Sequence, residues 1–231
     1  MKISRIIIDS ITISLGRLRK KRKLKARKDR LTKVNLGAGL ELAPGWINID
    51  GSLNYLVANL PKIFHLIAYE FSGSKNFYKK EEYCNTLENN NFIHHDISFG
   101  VPFQNENIDY IYSSHFLEHL YLKEAKHLLN DCYRVLKKGG QIRISVPDLE
   151  HAINLYKKGQ GETMLSSYFF MDDESFFGQH KYMYDFKILS SILEEIGFIN
   201  ITKSSYKHGN FPDIEILDSR EGESLFIEAC K

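Results

Sequence analysis

The sequence predicts a single α/β domain, in which a mostly parallel β-sheet is covered by helices on both faces. Short apolar runs typical of strands alternate along the chain with longer segments in which apolar residues recur at helical spacing. Glycines mark the ends of several of these segments. A chain of 231 residues with 43% hydrophobic content can bury one large core, so we expect one domain.

The first half of the chain predicts four strands, at residues 32–37, 45–50, 92–96 and 108–113. Too few residues separate the first two for a crossover helix, so a loop or a single helical turn must connect them. Residues 51–91 are predicted to form a helical insertion of two pieces, interrupted at Pro61.

The second half predicts a long helix over residues 115–138, because its apolar residues recur at helical spacing and Gly139 and Gly140 would end it. A strand at 141–146, helices at 149–158 and 186–196, and strands at 198–205 and 224–230 follow. The last two strands have no predicted helix between them, which is compatible with an antiparallel pair.

Composition disfavours several classes of protein. The three cysteines, Cys84, Cys132 and Cys230, are odd in number and far apart, which is not typical of a disulfide framework. No window approaches the roughly 18 apolar residues of a membrane span. The amino terminus lacks the apolar core and cleavage site of a signal peptide. The sequence therefore predicts a cytoplasmic protein.

Positive charge is concentrated in an amino-terminal arm, residues 1–30, which we separate from the domain at residues 31–231. Ten of the fourteen residues 17–30 are Lys or Arg, whereas residues 31–231 carry 19 basic and 27 acidic side chains. Such a run is compatible with a solvated, partly disordered arm, with an anionic membrane surface on the inner face of the membrane, or with nucleic acid. No aromatic residue interrupts the run, which makes nucleic acid the least favoured partner.

Two glycines and two acids follow predicted strands. Gly37 and Gly39 come after the first strand, and Asp50 ends the second, eleven residues after Gly39. Asp96 ends the third. Glycines let a backbone adopt positive φ and approach a ligand, and an acid at the next strand end can bind ribose hydroxyls. The pattern predicts a cradle for a nucleotide-type cofactor, with a tight turn between strands as the structural alternative.

Six motifs, in the order VNLGAG, PGWINID, HHDI, IDYIYSSHFLEHL, YRVLKKGGQIRISVPDLE and the segment from Asp185 to Phe198, resemble the class I S-adenosylmethionine-dependent methyltransferases. Within that superfamily, the chain resembles the small methyltransferases found beside glycosyltransferase genes for surface polysaccharide. The resemblance covers roughly residues 32–230. It implies a Rossmann-like, seven-stranded sheet with an antiparallel last strand, and S-adenosylmethionine as cofactor.

The same resemblance implies which residues hold the cofactor: Asn35, Gly37, Ala38, Gly39, Asp50, Asp96, Ile97, Ser113 and Ser114. Asn35, Gly37, Ala38 and Gly39 would cradle the methionine moiety, Asp50 would bind the ribose, and Asp96 with Ile97 would face the adenine. Ser113 and Ser114 would lie near the methyl group.

Methyl transfer to a hydroxyl requires a base, and histidine has a suitable pKa. His115 is the first candidate, His180 is the second, and Asp148 could orient either of them. His115 could instead cap the following helix, and we expect Glu118 with His119 to support that helix by hydrogen bonds. Cys84, His94 and His95 lack metal-ligand spacing, so no metal site is predicted.

The sequence thus predicts an enzyme that O-methylates a sugar or glycolipid-type acceptor. The alternative is a non-catalytic adaptor with a methyltransferase fold, recruited to a membrane or to polysaccharide-assembly machinery. A nucleic-acid methyltransferase is disfavoured, because no Pro-Pro-Tyr-type tetrad follows the fourth strand. The sequence does not predict the oligomeric state.

Overall fold

The computed structural model describes residues 12, 14–21, 23–26, 30–169 and 179–231. Its centre is a seven-stranded sheet of order β3-β2-β1-β4-β5-β7-β6. The strands are β1 Lys33–Leu36, β2 Ile47–Asp50, β3 Asn91–His94, β4 Ile108–Ser114, β5 Leu136–Pro147, β6 Ile199–Ser204 and β7 Ser224–Cys230. Strands β1 to β5 pair in parallel, and β7 is antiparallel to both β5 and β6. The predicted fold is confirmed, including its antiparallel last strand.

Helices flank this sheet. They are α1 at residues 14–19, α2 Leu53–Val57, α3 Lys62–Phe71, α4 Lys80–Asn89, α5 Leu122–Val135, α6 Leu149–Lys157, α7 Gly161–Met164, α8 Phe186–Ile196 and α9 Ile214–Leu217. The main core packs α5 and α8 against β1, β4, β5 and β7. A second core lies under α2, α3 and α4 around Tyr55, Tyr83 and Phe92. The predicted two-piece insertion is therefore wrong in detail, because residues 51–91 form three helices.

The predicted helix over residues 115–138 is also wrong. His115 has φ +48°, which turns the chain into a short 3-10 turn, Leu117–His119, and α5 begins only at Leu122. The helix ends at Val135, because the fully buried Leu136 pairs with Ile108 and already belongs to β5. Burial of Leu136 thus outweighs the local signal of the lysines and glycines that follow it. By contrast, α8 and β7 have the predicted boundaries.

Part of the basic arm packs on the domain. Leu24 N–H donates to Pro102 O at 2.7 Å, and Gln104 N–H donates to Leu24 O at 2.9 Å. Ala26 N–H donates to Asn107 Oδ1 at 2.9 Å. Residues 24–26 of the arm thus pack on the domain, while residues 1–11, 13, 22 and 27–29 lie outside the described chain. Among the described residues, none of the helices is long and apolar enough to cross a membrane.

Candidate active site

The carboxyl ends of β1, β2, β3 and β4 meet at one edge of the sheet, the edge at which open α/β sheets bind ligands. Gly39 N–H donates to Asp50 Oδ2 at 3.4 Å. His95 N–H donates to the Asp50 carbonyl at 3.0 Å, which brings Asp96 beside Asp50. The glycine loop and both aspartates therefore converge, and we call this edge, with residues 37–39, Asp50 and Asp96, the rim.

The Asp50 carboxylate can accept further hydrogen bonds. Its Oδ1 accepts from Ser52 N–H at 2.7 Å. Burial raises the pKa of the Asp50 carboxyl above its ordinary value, and the bonds from Ser52 and Gly39 oppose this shift. Within the described chain it has no basic partner in an ion pair. A carboxylate in this state suits a neutral, donating ligand such as the two hydroxyls of a ribose.

The two glycines of the loop have different surroundings. Both have positive φ, +65° at Gly37 and +52° at Gly39. A methyl group on Gly37 would overlap the ring of Phe116, whereas one on Gly39 would meet no described atom within 4 Å. The absence of a side chain at Gly37 thus makes room for the Phe116 ring, and its part in a cofactor cradle stays a prediction. Gly39 is the glycine with open space beside its backbone.

The other predicted cofactor residues differ in what they contact. Asn35 Nδ2 donates to Glu41 O at 3.0 Å and holds the loop, while Asn35 Oδ1 and Ser114 Oγ are buried without a described hydrogen-bond partner. Ser113 is buried next to Ser114 in β4. Ala38 belongs to the second core and Ile97 to the main core. The orphaned oxygens are polar groups that a ligand at the rim could satisfy.

Helix α1 covers the Asp96 end of the rim. Asp96 Oδ1 accepts from Ser98 N–H at 3.0 Å and from Ser98 Oγ at 2.6 Å. A methyl group on the buried Gly16 would lie 2.8 Å from Asp96 Cβ, so the helix approaches this residue closely. Arg19 Nη1 lies 3.3 Å from His94 Nδ1. The rim is thus covered by Phe116 at one end and by α1 at the other.

The donor set nevertheless fits an adenosine-type cofactor with a charged sulfur. Asp50 provides hydroxyl acceptors, Gly39 has open space beside it, and Asn35 and Ser114 have buried oxygens with unused capacity. Phe116 is the residue that must lie beside such a ligand or be displaced by it, because its ring occupies the space next to Gly37.

A cluster of ionisable groups follows β4. Glu118 lies in the 3-10 turn and is completely buried. Its carbonyl accepts from Lys181 N–H at 2.7 Å and Tyr182 N–H at 3.3 Å, and these bonds bring the loop with His180 onto the turn. His115 Nδ1 lies 3.4 Å and His180 Nε2 3.9 Å from Glu118 Oε1. We call Glu118, His115, His119 and His180 the Glu118 cluster.

The electrostatics of the cluster keep Glu118 charged. Burial by itself would raise the pKa of Glu118, but interaction with His115 and the nearby His119 lower it more, so the pKa lies below its ordinary value. Burial lowers the pKa of His180, with Glu118 opposing the shift. His180 Nδ1 donates to Tyr168 O at 2.8 Å, which leaves Nε2 of the neutral ring with a lone pair.

His115 is more occupied than expected of a base. Its backbone φ of +48° is uncommon for a residue other than glycine. Ser224 Oγ, which donates to Arg220 O, accepts from His115 Nε2 at 2.8 Å. Arg220 Nη1 lies 3.3 Å from His115 Nδ1. Both ring nitrogens of His115 therefore have protein partners, whereas Nε2 of His180 lies 3.9 Å from Glu118 Oε1 and has no hydrogen-bond partner among the described residues.

Asp148 does not occupy the orienting position expected from the sequence. Its Oδ1 accepts from Glu150 N–H at 2.9 Å as the cap of α6, and its Oδ2 lies 3.8 Å from Lys203 Nζ. Glu118 is instead the carboxylate beside His115 and His180. The sequence analysis assigned Glu118 and His119 to support of a helix. The sequence signal for this cluster was the run from His115 to His119, in which three of five residues are ionisable.

Comparisons with known proteins agree with this fold. A family model described as a methyltransferase domain matches residues 54–144. The methyltransferase SibL in its apo form aligns with a TM-score of 0.51 and 14% identity over 89% of this chain and 52% of its own. No curated protein matches the chain.

Two further solved structures are similar over nearly the whole chain. A methyltransferase from Archaeoglobus fulgidus has 18% identity, a TM-score of 0.48, and coverage of 96% of this chain and 94% of its own. Phosphoethanolamine N-methyltransferase 2 from Haemonchus contortus, in complex with S-adenosyl-L-methionine, has 14% identity, a TM-score of 0.45, and coverage of 96% and 52%.

The strand order, with its antiparallel β7, is that of the fold implied by the sequence motifs. The match to the methyltransferase domain model includes β3, β4, the Glu118 cluster up to His119, and α5. The chain thus has the fold of the class I methyltransferases, and its residues 54–144 are similar to a methyltransferase domain.

Proposed function

We propose that this protein binds S-adenosylmethionine at the rim and methylates a hydroxyl oxygen of a sugar or glycolipid-type acceptor. The observation that carries the proposal is the position of the Glu118 cluster. It follows β4 directly, and Phe116, two residues before Glu118, contacts the glycine loop of the rim. A site for proton removal thus lies next to the place where a methyl donor would bind.

The cofactor supplies an electrophilic methyl group on a sulfonium, so the protein must orient the acceptor, exclude water and receive the acceptor's proton. The Nε2 lone pair of His180 can receive that proton, and the carboxylate of Glu118 can stabilise the imidazolium that forms. His115 and Ser224 position Glu118 from the other side. A hydroxyl needs such assistance because it is a weak nucleophile while protonated.

The surroundings of the cluster support a sugar acceptor. Tyr121, two residues after His119, has an exposed ring, and Lys181 Nζ lies 5.1 Å from its centroid. An exposed aromatic face beside polar groups is suited to stacking against the apolar face of a sugar ring. Methyl transfer from labelled cofactor to defined glycans tests this class of acceptor.

One observation favours the adaptor as a second candidate. Phe116 and α1 both cover the rim, as they would if the fold served only as a scaffold. A scaffold, however, has no use for a buried acid such as Asp50 with unused acceptor capacity.

Calorimetric titration with S-adenosylhomocysteine decides between the candidates. We expect the wild type to bind, and Asp50→Ala to lose about 100-fold in affinity, since hydrogen bonds to a charged group contribute about 1.5–3 kcal/mol each. Glu194→Ala removes an exposed carboxylate from α8 and should bind like the wild type. Unchanged affinity in Asp50→Ala would contradict the assignment of Asp50, and a wild type that does not bind would favour the adaptor.

A further inference from the structure

Glu118, His119 and His180 bring three potential metal-ligating side chains together. The ligand atoms of these side chains all lie within 4.8 Å of one another. Two of the residues come from the 3-10 turn after β4, and the third comes from the loop before α8. The backbone bonds from Lys181 and Tyr182 to the Glu118 carbonyl hold the turn and the loop together, so the arrangement belongs to the fold.

The Glu118 carboxylate lies beside histidine rings but has no Lys or Arg partner among the described residues. Its side chain is fully buried, and neither carboxylate oxygen has a hydrogen-bond partner in the described part of the chain. Buried carboxylates are normally paired or bound to a metal, because an isolated charge costs several kcal/mol to bury. The nearest groups are the rings of His115, at 3.4 Å, and His180, at 3.9 Å.

The two histidine ligands are oriented as metal ligands usually are. His119 Nδ1 lies 3.2 Å from Gln179 O, and His180 Nδ1 lies 2.8 Å from Tyr168 O. A carbonyl can only accept, so both Nδ1 atoms carry the proton and both Nε2 atoms have lone pairs. Metal-binding histidines almost always donate their second ring N–H to a carbonyl or carboxylate in this way.

We propose that Glu118, His119 and His180 bind a divalent cation of the first transition row, such as zinc or manganese. Two imidazoles and one carboxylate suit these ions better than calcium or magnesium, which prefer sites made of oxygen alone. Three protein ligands leave at least one coordination position open, as in catalytic rather than structural sites.

The cation deepens the proposed function, on which this step rests. The cation would bind the acceptor hydroxyl at its open coordination position and lower the pKa of that hydroxyl, so that the O–H proton passes to water. The oxygen would then form the new bond to the methyl carbon as the carbon–sulfur bond breaks. His180 would then act as a ligand rather than as the base. Methyl transfer would therefore be lost on removal of the metal, whereas a His180 base would work without it.

The direct test is binding of Co²⁺, used as a spectroscopic probe, to the full chain after removal of metals with EDTA and of any purification tag. We expect visible absorption bands that saturate at one Co²⁺ per chain, and loss of these bands on addition of Zn²⁺ in competition. His119→Ala, His180→Ala and Glu118→Gln should each lower Co²⁺ affinity at least 10-fold. His127→Ala removes an exposed histidine of α5 and should bind like the wild type.

The proposal is wrong if the wild type binds none of Co²⁺, Zn²⁺ and Mn²⁺, or if the three variants bind Co²⁺ as well as the His127→Ala control. Circular dichroism in metal-free buffer verifies that each variant is folded, and His119→Ala is the decisive one because His119 is only partly buried, unlike the fully buried Glu118. S-adenosylhomocysteine titration in EDTA keeps the two proposals separate: Co²⁺ binding without cofactor binding would reject the methyltransferase activity and leave the metal site standing.

Discussion

Two buried carboxylates of this protein have opposite surroundings. Asp218 accepts from Arg143 Nε at 2.9 Å, Arg143 Nη2 at 2.5 Å, Lys207 N–H at 2.8 Å and Tyr112 OH at 3.2 Å. Glu118 has an equally buried side chain but accepts no hydrogen bond from the residues that the structure describes. The first is a hydrogen-bonded ion pair with an arginine, whereas the second has only histidine rings near its carboxylate.

The difference separates structure from function. Arg143 also pairs with Glu228 and donates to the carbonyls of His208 and Ser205, so the network ties β5, β7 and the loops around β6 together. Such a network is complete without a ligand. The Glu118 cluster becomes complete only when a proton or a cation arrives, which is typical of a site for chemistry or binding.

The largest expected effect comes from breaking the completed network. Arg143→Ala leaves Asp218 buried without its cation, and loss of one partner of a buried pair costs about 3–5 kcal/mol. We expect the free energy of unfolding, measured in urea at pH 7, to fall by this amount. Lys126→Ala breaks the surface pair with Glu195 and should change it by less than about 1 kcal/mol. Equal losses in both variants would show that the Arg143 network has no special role in stability.

Glu118→Gln should greatly lower activity but leave stability almost unchanged. No hydrogen bond to Glu118 is lost in the described structure, so we expect the free energy of unfolding to change by less than about 1 kcal/mol. Methyl transfer should fall by at least about 100-fold, because the cluster loses its charge. Turnover with labelled cofactor and urea denaturation measure the two quantities. A variant that is fully active but strongly destabilised would reverse the comparison.

Asp131 provides an intermediate case and a smaller effect. Burial raises the pKa of this carboxyl, but hydrogen bonds from Arg134 and Val101 N–H lower it more, so the folded-state pKa lies below the ordinary value of 3.8. The stabilising contribution is therefore complete above pH 3.8 and is lost as the pH falls further. Asp131→Asn should lower the free energy of unfolding by about 1–2 kcal/mol at pH 7. If the free energies of unfolding of the variant and the wild type still differed by this amount below the folded-state pKa of Asp131, this account would be contradicted.

Local sequence patterns were sufficient wherever an element carries its own stop and start signals. The Asp185 carboxylate caps α8 by accepting from Ile188 N–H at 2.7 Å, and Gly197 ends the helix with φ +110°. The acids at the ends of β2 and β3 also predicted the rim, because parallel strands bring their carboxyl ends to one edge. The helix over residues 115–138 failed because its true limits depend on the pairing of Leu136 with β4.

The sequence by itself determined the fold class, the positions of the strands and the edge of the sheet where Asp50 and Asp96 meet, since these follow from periodicity and strand direction. Only the tertiary structure decided that Phe116 covers Gly37, that Asp148 caps a helix, and that Glu118 is the carboxylate between histidines. The reason is that the charge state and pairing of a buried group depend on residues distant in sequence. The loop with His180 reaches Glu118 only through backbone bonds that no local pattern encodes.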